Sequence, residues 1–267
     1  MVCASGQAQV IDFDLVNANF DEPDDFGQVA AQGASIQVPG WLETGPLTPV
    51  PELGGLEVLF NGGIFLNVPA AGWPAVGNSN APAPGKNDQL GFLAIDPQQG
   101  TPGSIPVAIS QQSGAQFAAN QTYSFTLAVG PSTTSPPGSG DPINDPATLI
   151  LSIGYLDAGD AFVSVADQIV TQFIDDGIAS SNEIKSRVAT FTNDPEFNLL
   201  TDFSVIANDP TSVDAAALGK QIAVRVSLAG GDNGRFIFDQ ARLAQVPEPS
   251  SLALLGLGGA LLLRRRR

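Results

Sequence analysis

An antiparallel all-β sandwich, followed by a short C-terminal transmembrane helix, is the fold that this sequence predicts. Three observations predict it. Apolar residues recur in short segments bounded by Gly, Pro or Asn, the punctuation expected of strands. The clearest segment, Gln121-Thr-Tyr-Ser-Phe-Thr-Leu-Ala-Val129, alternates with period two and puts Tyr123, Phe125, Leu127 and Val129 on one face. No helical rhythm separates the segments, which favours a sandwich over a βαβ arrangement.

Taken in order, residues 1–8 hold no basic n-region and no apolar h-region, but the small residues from Ala4 to Ala8 read like the end of a signal peptide. This places the true start upstream, the mature end near Ala8 and Cys3 in a discarded leader. Strands are expected at 11–15, 35–38, 64–68, 89–95, 121–129, 148–155, 161–165, 184–191, 201–206, 221–228 and 235–243. In the segment 221–228 the inward face is Ile222, Val224, Val226 and Leu228, with Arg225 and Ser227 facing water. Short helices are expected at 165–174 and 214–218. Residues 39–55, 69–88 and 131–146 read as loops, the last as an excursion within one domain over 9–245. The stretch Gly230-Gly-Asp-Asn-Gly234 reads as a hairpin turn, since Asn-Gly favours positive φ.

Composition bounds the chemistry. The 267 residues are 43% hydrophobic but only 14% charged, against a usual ~25%, so the chain is able to bury a core. Without a single histidine there is no Ser-His-Asp triad, no Cys-His pair and no His-ligated zinc. One cysteine allows no internal disulfide. The 27 acidic residues outnumber the 11 basic ones, and a net charge of -16 argues against nucleic acid and anionic lipid as partners.

The tail, residues 246–267, has three parts. Pro247 and Pro249 around Glu248 forbid regular structure. The apolar run from Ser250 to Leu263 would span about 20 Å as a helix, short against a hydrocarbon core of about 30 Å. Arg264, Arg265, Arg266 and Arg267 form a cytoplasmic anchor by the positive-inside rule. A buried C-terminal helix is the plainer reading, but it would have to accommodate these four arginines and Gly256, Gly258 and Gly259. The three parts together resemble the PEP-CTERM sorting signal. That resemblance implies an exported bacterial protein, held in the membrane by its C-terminal segment until an exosortase cuts near the Pro-Glu-Pro box. Setting the tail's Glu248 and four arginines aside leaves 26 acidic and 7 basic residues, so the exported body carries about -19.

The body is similar to galactose-binding-like jelly rolls at four landmarks. These are the opening Leu15-Val-Asn-Ala-Asn-Phe-Asp-Glu-Pro23, the pair Gly40-Trp41, the central Ala119-Asn-Gln-Thr-Tyr-Ser-Phe-Thr-Leu127 and the closing Phe236-Ile-Phe-Asp-Gln-Ala-Arg-Leu243. The resemblance implies a jelly roll in which a structural Ca²⁺ joins the opening and closing strands. The matching carboxylates are Asp21, or Glu22 one residue on, and Asp239; the plainer alternative is a solvated acidic loop and a turn-capping Asp239. No Asp-x-Asp-x-Asp-Gly loop is present. Trp73 and Trp41 are the two tryptophans and candidate sugar-stacking rings, with a core position the competing role for Trp41.

The expected function is a non-enzymatic surface or extracellular-matrix protein that binds extracellular polysaccharide. Its partners are the exosortase and the export machinery. Two alternatives stand beside it. One is a secreted carbohydrate-active hydrolase, using a carboxylate pair such as Asp157 and Asp160, Asp175 and Asp176, or Asp194 and Glu196. The other is a purely structural matrix protein.

Overall fold

The computed structural model describes residues 10–20, 38, 40–44, 47–50, 56–59, 62–66, 89–94, 107–131, 148–174, 183–186, 200–229 and 235–246. Fourteen strands run through them. They are β1 (Ile11–Phe13), β2 (Leu42–Thr44), β3 (Leu47–Val50), β4 (Leu56–Leu59), β5 (Gly62–Leu66), β6 (Gln89–Ala94), β7 (Val107–Gln116), β8 (Thr122–Pro131), β9 (Thr148–Leu156), β10 (Phe162–Ile174), β11 (Glu183–Ser186), β12 (Thr201–Asn208), β13 (Gln221–Ala229) and β14 (Arg235–Val246). A first sheet runs β12-β8-β14-β6-β5, with β1 also on β14; a second runs β11-β10-β9-β13-β7-β2. Pairing is antiparallel except between β10 and β11. β3 and β4 form a separate ribbon.

The alternating segments supply the core from both sheets. Tyr123, Phe125, Leu127 and Val129 of β8 and Phe236, Phe238 and Leu243 of β14 belong to one buried cluster with Leu149, Leu151 and Ile153 of β9 and Val224 and Val226 of β13. This is the arrangement of a β-sandwich. The buried Tyr123 hydroxyl is satisfied at the β7–β8 turn, where it accepts from Ala118 N at 2.9 Å. Gly91 of β6 is required by close packing: a Cβ there would lie 2.2 Å from the Phe238 ring.

Several expectations are corrected. Residues 165–174 are not a helix but most of β10, the longest strand, with a bulge between Ser164 and Ala166. Loop 39–55 contains β2 and β3. β13 and β14 lie in different sheets and do not pair with each other, and the stretch 230–234 expected as a hairpin turn lies outside the described residues. Strands before and after residues 131–146 share sheets: β7 pairs β13, and β8 pairs β12 and β14. At 214–218 a 3₁₀ turn, Ala215–Ala217, forms as read, N-capped by Asp214 accepting from Ala216 N. It follows a four-residue helix, α1 (Pro210–Val213).

No helix among the described residues is long and apolar enough to cross a membrane. The expected transmembrane segment lies outside the described residues, as do the expected strand 35–38 apart from Val38 and the loop 69–88.

Candidate functional site

The outer face of the second sheet is floored by small residues. β13 points Ala223, Arg225 and Ser227 outward, because Ile222, Val224, Val226 and Leu228 fill the core. Opposite Arg225 stand Ser152 on β9 and Ser110 on β7; opposite Ala223 stand Gly154 and Gln112. Asp167 of β10 faces Ser152 from the other side, giving a row across four strands: Asp167, Ser152, Arg225, Ser110. Ser110, Ser152, Ser227, Ala108 and Ala223 are all buried. Ser227, expected to face water, is therefore enclosed, and Arg225 is half-buried.

Phe162 stands over this floor. A Cβ on Gly154 would meet the Phe162 ring at 2.9 Å and the Val163 carbonyl at 2.1 Å, so only glycine lets β10 approach here. The Arg225 guanidinium lies 5.5 Å from the Phe162 ring centroid, within cation–π range. Burial depresses its pKa and Asp167 partly offsets the shift, but a guanidinium stays charged. Asp167 accepts from Ser152 Oγ at 2.5 Å and from Ser164 Oγ at 2.7 Å. A cation, an aromatic face, a carboxylate and hydroxyls thus share one surface. Asp167 is the one carboxylate on it among the described side chains, whereas glycoside hydrolysis needs two flanking carboxyl groups. Arg225, Phe162 and Asp167 were not singled out from sequence as a site; the available signal was a basic residue in the middle of a strand of a strongly acidic body.

The opening and closing segments meet at a second place. β14 bulges between Asp239 and Arg242, with Gln240 at φ 56°. Ala241 N at the bulge donates to Ala18 O at 2.8 Å, docking the turn 16–19. Asp239 is 1% exposed, and its Oδ1 accepts from Gln240 N at 2.7 Å. Asp21 and Glu22 lie outside the described residues, and among the described ones no group of three acidic or cysteine side chains gathers for a metal.

Trp41 is 2% exposed and stacks on Phe20 with centroids 5.3 Å apart, so it occupies the core role. Phe20 also meets Phe238 edge-on at 5.0 Å and holds a left-handed φ of 56°, a costly conformation for a bulky residue that this packing sustains. Trp73 and the tail residues Pro247, Glu248, Pro249 and Arg264 to Arg267 lie outside the described residues.

The described carboxylate pair, Asp157 and Asp160, shapes the β9–β10 turn. Asp157 Oδ1 accepts from Gly159 N and Ala161 N, and Asp160 has φ 60°. Nearby, the buried Tyr155 hydroxyl donates to Asp214 Oδ2 at 2.6 Å. That bond, with burial and the charges of Asp214 and Asp157, raises the Tyr155 pKa. The same bond and the Ala216 N–H lower that of Asp214. Asp175, Asp176, Asp194 and Glu196 lie outside the described residues.

A comparison with curated proteins gives no match. Among solved structures, the Stig cyclase Fisc from Fischerella sp. TAU, in complex with (3Z)-3-(1-methyl-2-pyrrolidinylidene)-3H-indole, superposes with a TM-score of 0.56 at 17% identity, over 90% of this chain and 99% of its own. A cyclase from Fischerella sp. TAU in complex with 4-(1H-indol-3-yl)butan-2-one gives 0.56 at 18% identity, over 89% and 98%. These likenesses are of fold alone. The CBM22-1 xylan-binding domain of Paenibacillus barcinonensis Xyn10C gives a TM-score of 0.41 at 8% identity, over 92% and 99%, too distant to bear on the ligand. Residues 245–267 match the PEP-CTERM protein-sorting motif, which implies an exported chain, anchored in the membrane before an exosortase processes it.

Proposed function

We propose that this chain is a cell-surface or extracellular-matrix protein whose body, a non-catalytic jelly roll, binds extracellular polysaccharide on the outer face of its second sheet. The observation that carries this reading is the Arg225–Phe162 pair standing over a floor of Gly154, Ala223 and buried serines. An aromatic face stacks on the apolar side of a pyranose, and a guanidinium donates paired hydrogen bonds to hydroxyls or a carboxylate. Asp239, with Asp21 or Glu22, would hold a structural Ca²⁺ between the chain's two ends. A hard cation of that kind takes carboxylate and carbonyl oxygens.

The test is binding of the purified body to a polysaccharide array, with and without Ca²⁺. Loss of about tenfold in affinity, roughly 1.4 kcal/mol, is expected for Arg225→Ala and for Phe162→Ala. Unchanged binding by both variants would sink this site. Release of reducing ends from any bound polysaccharide would favour the hydrolase instead.

A further inference from the structure

The two arginines whose side chains are described differ in what they meet. Arg242, exposed on β14, gives its guanidinium to Asp202 at 2.5 Å. Arg225 is half-buried, yet among the described residues its N–H groups meet no acceptor, and its neighbour is the face of Phe162. The carboxylate of its row, Asp167, stands two strands away, about 10 Å at the ~4.8 Å spacing of paired strands. Asp167 Oδ1 is already held by the hydroxyls of Ser152 and Ser164.

Two hydroxyls share that condition. Ser110 stands opposite Arg225 on β7, and Ser227 lies two residues along β13, so both are on the Arg225 side of the sheet. They are 7% and 6% exposed, and among the described residues neither hydroxyl has a hydrogen-bond partner. Buried polar groups are as a rule hydrogen-bonded, and a guanidinium drawn partly out of water is stabilised by an anion. Three adjacent groups therefore have donors to spare and no acceptor. A carboxylate answers all three: its two oxygens offer about four lone-pair positions and match the planar fork of the guanidinium. A sugar hydroxyl presents one oxygen without charge, and such a bond is roughly half as strong.

Resting on the polysaccharide reading of this face, we infer that its ligand is an acidic polysaccharide. Arg225, Ser110 and Ser227 receive the carboxylate of a uronic-acid unit, and Phe162 packs against the unit's ring. The acidity of the body, 26 acidic against 7 basic residues, does not prevent this. At physiological salt, exposed charges more than about 8 Å apart are largely screened from one another. Asp167 is the one carboxylate on the face among the described side chains. Its charge opposes the bound acid weakly, because about 10 Å separates its strand from that of Arg225.

The experiment measures binding of the full chain, purified in detergent, to polygalacturonate, polymannuronate and polyglucuronate, each beside its carboxyl-reduced, neutral form. At least one acidic polymer is expected to bind about tenfold more tightly than its reduced form, and less tightly as salt rises. Arg225→Gln is expected to abolish that preference, and Arg225→Lys, which keeps the charge without the fork, to retain part of it. Asp167→Asn keeps an acceptor for the two serines and is expected to raise the preference about twofold at low salt. Phe162→Ala is expected to weaken both forms alike. Equal binding of acidic and reduced forms by the wild-type chain, or a preference that Arg225→Gln leaves intact, overturns the inference while the polysaccharide reading stands. Binding to no polymer of either kind overturns the polysaccharide reading and this inference with it.

Discussion

Gln111 holds the backbone of Val16 from both sides. Its Oε1 accepts from Val16 N at 2.7 Å, and its Nε2 donates to Val16 O at 2.9 Å and to Gly40 O at 2.7 Å. The side-chain amide so imitates one rung of a β-ladder, tying the opening turn and the segment before β2 to β7. Gln111 is 6% exposed while Val16 is exposed, so the clamp fixes a surface turn from a side chain whose own amide is satisfied away from water.

Gln111→Ala is therefore expected to destabilise the body by about 1–3 kcal/mol, the net worth of three hydrogen bonds to part-exposed backbone groups. Gln111→Glu, the same shape with an acceptor against two carbonyls, is expected to lose at least as much. Urea denaturation midpoints measure both. Wild-type stability in either variant would mean that the clamp contributes nothing.

The Tyr155–Asp214 bond predicts a pH window. Asp214's depressed pKa adds stability above its ordinary value of 3.8, and this is lost as pH falls through the lowered folded value. Tyr155's raised pKa adds stability that is full below 10.0 and disappears as pH rises through the raised folded value. The Tm difference between wild type and Tyr155→Phe is thus expected to be steady at neutral pH and to shrink at both extremes. A difference independent of pH would show that the hydroxyl bond is not its origin.

Calcium bound by Asp239 and an opening-segment carboxylate would join the two ends of the fold and stabilise the native state alone. At a hundredfold excess over Kd the gain is about 2.7 kcal/mol, worth several degrees of Tm in a chain of this size. Asp239→Asn, which keeps the shape and removes the charge, is expected to abolish most of the rise, with Mg²⁺ as control. Equal shifts with both ions, or an undiminished shift in the variant, would reduce the effect to screening of an acidic surface.

How legible each strand was depended on what its inner face does. β8 and β13 bury plain alternations, Tyr123 to Val129 and Ile222 to Leu228, and both were readable. β7 was hidden because Gln111 and Ser113, on the same face as Ile109, serve backbone groups instead of filling the core; Ser113 Oγ donates to Ile222 O. β10 was misread because its apolar residues Val165, Ala166, Ile169 and Val170 recur at helical spacing. The bulge between Ser164 and Ala166 resets the strand's phase, so Ile169 ends up 54% exposed while Val170 is buried. Arg225 was placed on the correct face, but its half-burial depends on Phe162, sixty-three positions away in the chain, which no local pattern encodes.

The most direct test of the account is cell fractionation after deletion of residues 247–267. The last described strand ends at Val246, so the truncated chain is expected to fold and appear in the medium, while the full chain is found with membranes before processing. A truncated body that stays with membranes as firmly as the full chain would contradict the assignment of the tail as its anchor and sorting signal.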